Sequence, residues 1–172
     1  RRQRQMCIRD RIINYSINTF LKPATVSYEG INTELSLKDD VEVFFDDYGV
    51  PSVFAQNDSD MFKVAGYLGA RDRLFQMSFM KYAYKGHLSL VVNDTLFAED
   101  RFLRTLGFEK TAKKTLDKVS PEIMKHLEDT CYGINAYVQN LSPAEYPLEF
   151  KLLQIKELPV FEPLDIIALS TM

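Results

Sequence analysis

The sequence has 172 residues and a mass of 19.9 kDa, 46% apolar and 26% charged, which suits one globular domain or a piece of a larger one and excludes a low-complexity or disordered chain. Its net charge of −3 is unevenly placed: residues 1–11 carry five arginines against Asp10, leaving 16 basic and 23 acidic residues in the rest, a body that would repel a nucleic-acid backbone. Two cysteines and two histidines without ligand spacing exclude a disulfide scaffold and a self-contained zinc site, and no apolar run reaches the roughly 18 residues of a membrane span.

The chain opens on Arg1 with neither an initiator methionine nor a leader pattern, which reads as the interior of a longer polypeptide; residues 1–28 form a segment of uncertain origin, its first eleven positions open to being non-native. The region 29–172 carries the recognisable pattern. Val41-Glu42-Val43-Phe44-Phe45 alternates as a strand, Asp46 to Pro51 supplies turn residues, and Ser52-Val53-Phe54-Ala55 offers the returning strand of a hairpin. From Ser59 the period changes to helical, with Met61, Ala65, Leu68, Asp72, Phe75 and Phe79 predicted along one face, Asp58 or Ser59 as cap and Gly86 as stop. Gly66 and Gly69 inside this helix predict close approach of another backbone. Residues 96–118 read as one or two helices. Ser120-Pro121-Glu122 is a strong helix start, followed by a stripe of Ile123, Leu127, Cys131, Ile134 and Val138 ending near Asn140. A short helix is predicted around 148–158, and a last apolar one begins at Asp165. The class is α+β, mostly helical with an N-terminal β-hairpin; two strands alone are marginal, so the domain reads as incomplete.

Candidate chemistry is sparse. Asp72, on the predicted core stripe, has to be paired if buried, and is read as the anchor of a structural network with Arg71 and Arg73 beside it. His87 and His126 have no serine or cysteine at a spacing that compels proximity, and Cys131 sits where a small buried thiol belongs. Asp39-Asp40 and Asp46-Asp47 lack a calcium-loop pattern. No catalytic residue is assigned.

The ordered motifs say more. Asp47-Tyr48-Gly49-Val50-Pro51, Gly66-Tyr67, Arg71-Asp72-Arg73-Leu74-Phe75-Gln76-Met77 and Gly86-His87-Leu88-Ser89 come first. Asp100-Arg101, Gly133-Ile134-Asn135-Ala136-Tyr137, Pro147-Leu148-Glu149-Phe150 and Glu162-Pro163-Leu164-Asp165 follow. Together they resemble the α-chain of the penicillin acylase family. The sequence departs from that family's pattern at Ser52, Arg71, Leu90 and Phe161, where histidine, glutamine, glutamate and tryptophan are usual.

The resemblance implies an N-terminal-nucleophile hydrolase with an αββα core, made as a precursor and cut into α and β chains. It would hydrolyse linear N-acyl amides through a serine at the start of the β-chain and an acyl-enzyme. It implies that Met172 lines the acyl pocket, that the β-chain of the same precursor is the partner and an N-acyl small molecule the substrate, and that the compartment is periplasmic or extracellular. No organic cofactor is implied; calcium is expected in the whole protein, its ligands outside these residues. A noncatalytic helical binding protein and a degenerate acylase-like scaffold are the alternatives.

Overall fold

The computed structural model describes residues 35–171, together with 15, 17–18, 22 and 29–33. The strands Glu42–Phe45 (β1) and Pro51–Phe54 (β2) pair antiparallel, with Val43 opposite Val53 and Phe44 opposite Ser52. Their turn is tied by Asp46, whose carboxylate accepts the N–H groups of Tyr48 and Val50 at 2.9 and 2.8 Å, while Gly49 takes the positive φ of 77°. Phe44 and Phe54 meet edge to face on the exposed side at 5.7 Å, and Phe45 on the other side lies under the Arg71 guanidinium.

The long helix Asp58–Lys85 (α1) starts one residue earlier than expected. Asn57, with extended backbone, is the cap, and its side chain accepts the Asp60 N–H at 3.0 Å. Gly86 ends the helix at φ 64°, as the sequence predicts. Inside, Arg73 leaves helical geometry (φ −136°, ψ 21°). Val64, Leu68 and Ala70 are buried before it, and Leu74, Ser78, Lys81 and Tyr84 after it. The predicted stripe is therefore wrong in phase: of its six residues only Leu68 is buried, and Ala65 and Asp72 are exposed.

The helices Leu88–Val91 (α2), Phe97–Leu106 (α3) and Phe108–Leu116 (α4) follow, α3 and α4 being separated by Gly107 at φ 73°. Pro121–Asn140 (α5) begins as predicted, Ser120 accepting the Ile123 N–H at 3.3 Å and Pro121 taking the first turn. It crosses α1 at backbone contact. A Cβ on Gly66 would lie 2.2 Å from the Thr130 carbonyl oxygen, and one on Gly133 would lie 1.9 Å from that of Lys63. Gly69 meets nothing within 4 Å, so the close approach predicted for both glycines of α1 holds for Gly66 alone. The crossing, the short helix Leu148–Leu152 (α6) and the following strap enclose Ala70, Leu74, Ile134, Val138, Phe150 and Phe161. The last helix, Pro163–Thr171 (α7), packs Ile167 and Ala168 against Tyr84 and Ala112. The outcome is the mostly helical α+β chain with one hairpin that the sequence predicts.

Candidate functional site

Three aspartates are buried in this small body: Asp60, Asp100 and Asp165. Each holds a bend of the chain. Asp60 receives the N–H groups of Lys38 and Asp39 at 2.9 and 3.0 Å and the Asn57 amide at 2.8 Å, fixing the approach to α1. Asp100 receives the N–H groups of Leu88 and Ser89 at 2.7 and 2.8 Å, which closes the start of α2. Burial by itself would raise both carboxyls, but these donors, with Lys63 near Asp60 and Arg104 near Asp100, outweigh it and hold both below the usual aspartate value.

Asp165 is the hub that directs α7. One oxygen accepts from Lys81 Nζ at 2.8 Å and from the Glu162 N–H at 2.7 Å; the other accepts the Tyr84 hydroxyl at 2.5 Å, with Lys85 Nζ at 3.9 Å. The bond to Glu162 is the return half of a capping box, with Asp165 three residues into the helix. Lys81 also donates to the Val160 carbonyl at 2.5 Å. Asn135 of α5 donates to the Phe161 carbonyl and accepts the Phe161 N–H, each at 2.8 Å, as a neighbouring strand would. The strap 160–162 is thus clamped by α1 and α5 before α7 departs. Burial first, then the bond to Asp165, pushes the Tyr84 phenol well above the ordinary tyrosine value, so it is a proton donor here.

The predicted site residues are distributed differently. Asp72 is exposed and bonds Arg71 Nε at 3.0 Å, so it is not the buried charge expected of it; the neighbouring Arg73 is itself exposed. Met172 lies outside the described residues. The buried carboxylates were missed because each lies in the first turn of a helix, off its apolar stripe. The signals available were Asn57-x-x-Asp60 and Glu162-x-x-Asp165, two capping-box spacings.

Among the described residues no serine or cysteine is hydrogen-bonded to a histidine. His126 stacks on Phe62 at 4.3 Å, and the buried Cys131 thiol is pushed up to about 12, mainly by burial, which leaves it without thiolate character at neutral pH. Two open grooves of about 500 and 820 Å³ flank Arg104; the smaller is lined by Ser89 and Asp100, the larger by Lys85, His87, Lys110, Lys113 and Lys114. Among the described residues no three acidic, histidine or cysteine side chains converge to hold a metal ion, and no helix is long and apolar enough to cross a membrane.

Residues 40–172 match the family model described as penicillin amidase. The chain belongs to the penicillin amidase family. It is 29% identical over 123 residues to the penicillin acylase 2 proenzyme of Pseudomonas sp. (strain SE83), covering 72% of this chain and 16% of that protein. It is 26% identical over 103 residues to penicillin G acylase of Escherichia coli, covering 60% and 12% respectively. An acyl-homoserine lactone acylase, QuiP of Pseudomonas aeruginosa, is 28% identical over 109 residues, 63% of this chain and 13% of that one. The fold is similar to that of the thermostable penicillin G acylase from Alcaligenes faecalis, with a TM-score of 0.68 and 25% identity over 77% of this chain and 70% of the solved one. The chain thus spans less than a fifth of the curated relatives' length. These relatives are penicillin and acyl-homoserine lactone acylases.

Proposed function

We propose that this chain is the α-chain part of a precursor-derived amidohydrolase that cleaves a linear N-acyl amide. The observation that carries the reading is the family match across residues 40–172, with relatives that are penicillin and acyl-homoserine lactone acylases. In this reading the nucleophile is a serine exposed by cleavage at the start of a β-chain. Its hydroxyl adds to the amide carbonyl, its proton passes by way of the serine's own α-amine to the leaving amine, and the C–N bond breaks. Water then releases the acyl group from the serine ester. None of these groups belongs to residues 1–172.

The α-chain's share is shape. Met172 lines the acyl pocket, where a flexible thioether conforms to an aliphatic or aromatic chain. The β-chain is the partner, and penicillins and acyl-homoserine lactones are the candidate substrates. The compartment is periplasmic or extracellular. The calcium expected of the whole protein finds no ligand set among the described residues, and no step runs through it.

The test uses the complete coding sequence. Mature protein should show an internal serine as a new N-terminus, should become acylated there, and should release amine from N-acyl amides. Substrates sharing one leaving amine and differing in acyl group should be re-ranked by Met172→Ala. A complete protein that is not cleaved and never acylates would overturn the reading.

A further inference from the structure

We propose that Asp165, with Lys81 and Tyr84, is a positioning group that sets where the far end of α7 lies and thereby tunes acyl preference; this rests on the proposed function. α7 carries Leu164, Ile166, Ile167, Ala168 and Leu169 around most of its circumference, so apolar burial draws it in without choosing one rotation or height. Its last two polar side chains cannot choose either. Ser170 and Thr171 donate back to the carbonyls of Ile167 and Ala168, inside their own helix. Among the described residues of α7, Asp165 is the one whose side chain bonds another helix, and it does so twice, to Lys81 and Tyr84 of α1. Directional bonds in a buried, low-dielectric site select one geometry among those that burial alone permits.

The lever is short and stiff. Asp165 and Thr171 are six residues apart, about 9 Å along a helix, so a tilt of roughly 10° about the Asp165 anchor displaces the Thr171 end by about 1.6 Å. Displacements near 1 Å, made away from the reacting atoms, change rates by up to roughly a hundredfold when they reach the bound substrate. The pair Lys81–Asp165 is therefore more than a charge buried for stability. It transmits the orientation of α1 to the end of α7.

The experiment uses the complete, matured enzyme with Tyr84→Phe, which keeps the ring and removes one donor, and Lys81→Met, which keeps the stem and removes the other. Val138→Ala, in the α1–α5 core and outside the hydrogen bonds to Asp165, serves as a control chosen for a comparable loss in Tm. For substrates sharing one leaving amine, kcat and KM are measured per titrated active site across acyl groups. The expected result is that Tyr84→Phe and Lys81→Met narrow the ratio of kcat/KM between best and worst acyl groups by roughly tenfold, mainly by raising KM for the preferred one. The control should lower Tm while leaving the ratio in place.

An unchanged ratio in both variants overturns the inference, as does an equal narrowing in Val138→Ala, or failure of both variants to mature, which would mark the network as required for folding alone. If Met172→Ala re-ranks the acyl groups and these variants do not, the positioning role falls and the proposed function stands. If the wild-type protein hydrolyses no N-acyl amide, the proposed function falls and takes this inference with it.

Discussion

Replacing Gly66 and Gly69 with alanine, one at a time, should move stability in opposite directions although the two glycines lie three residues apart on one helix. Alanine at either position gains about 1 kcal/mol of helix propensity. At Gly69 a Cβ meets nothing within 4 Å, so most of that gain should survive. At Gly66 the new methyl would lie 2.2 Å from the Thr130 carbonyl oxygen and 3.0 Å from its carbon. Those atoms are backbone in the middle of α5 and cannot swing aside as a side chain would. The helices have to part by about 1 Å, which thins the dispersion contacts along the crossing where Ala70, Leu74, Ile134 and Val138 pack. Overpacking of this kind costs about 1–3 kcal/mol, and the backbone clash places Gly66→Ala at the upper end. The propensity gain offsets part of it, leaving a net loss of about 2 kcal/mol. Thermal unfolding of the complete protein at one scan rate is the assay, with Gly133→Ala as a second probe from the facing helix. Gly66→Ala with a Tm at or above wild type, or Gly69→Ala less stable than Gly66→Ala, would refute the crossing geometry.

Asp100→Ala should cost about 2 kcal/mol in denaturant unfolding, because it strands the Leu88 and Ser89 N–H groups that the carboxylate now receives. Asp72→Asn should cost less than about 1 kcal/mol by the same measurement, since Asp72 is exposed and its described partner is the neighbouring Arg71. Stability should fall at both ends of the pH range. Asp60 and Asp100 have depressed carboxyls, so their contribution is present above about pH 4 and is lost as pH drops through the lower folded values. Cys131 is raised from 9.0 to about 12, so its contribution is complete below pH 9, declines between these values and is gone above them, with Tyr84 adding to the alkaline loss above 10. Urea midpoints across pH that stayed flat below 4 and above 9 would contradict these assignments.

Local signals set the element boundaries. Ser120-Pro121 starts α5 and Gly86 ends α1 because capping and left-handed turns depend on a residue and its immediate neighbours, and the alternation of Val41, Val43 and Phe45 makes β1 for the same reason. The family was legible too, since its motifs are strings in fixed order. The phase of α1 was not legible. Ala65 and Asp72, both on the face that the hydrophobic period selects, are exposed, because the buried side is the one that lies against α5. Asp72 looked buried by that period and is exposed. Asp165 and Lys81, 84 residues apart, carry no sequence signal that they meet, because a buried ion pair is set by how α7 lies against α1. The sequence by itself determined the sharp boundaries at Gly86 and Ser120-Pro121 and which family the chain joins, both being written in short-range pattern. Only the tertiary structure decided which charges are buried and where α7 is aimed, because those depend on contacts between residues far apart in the chain.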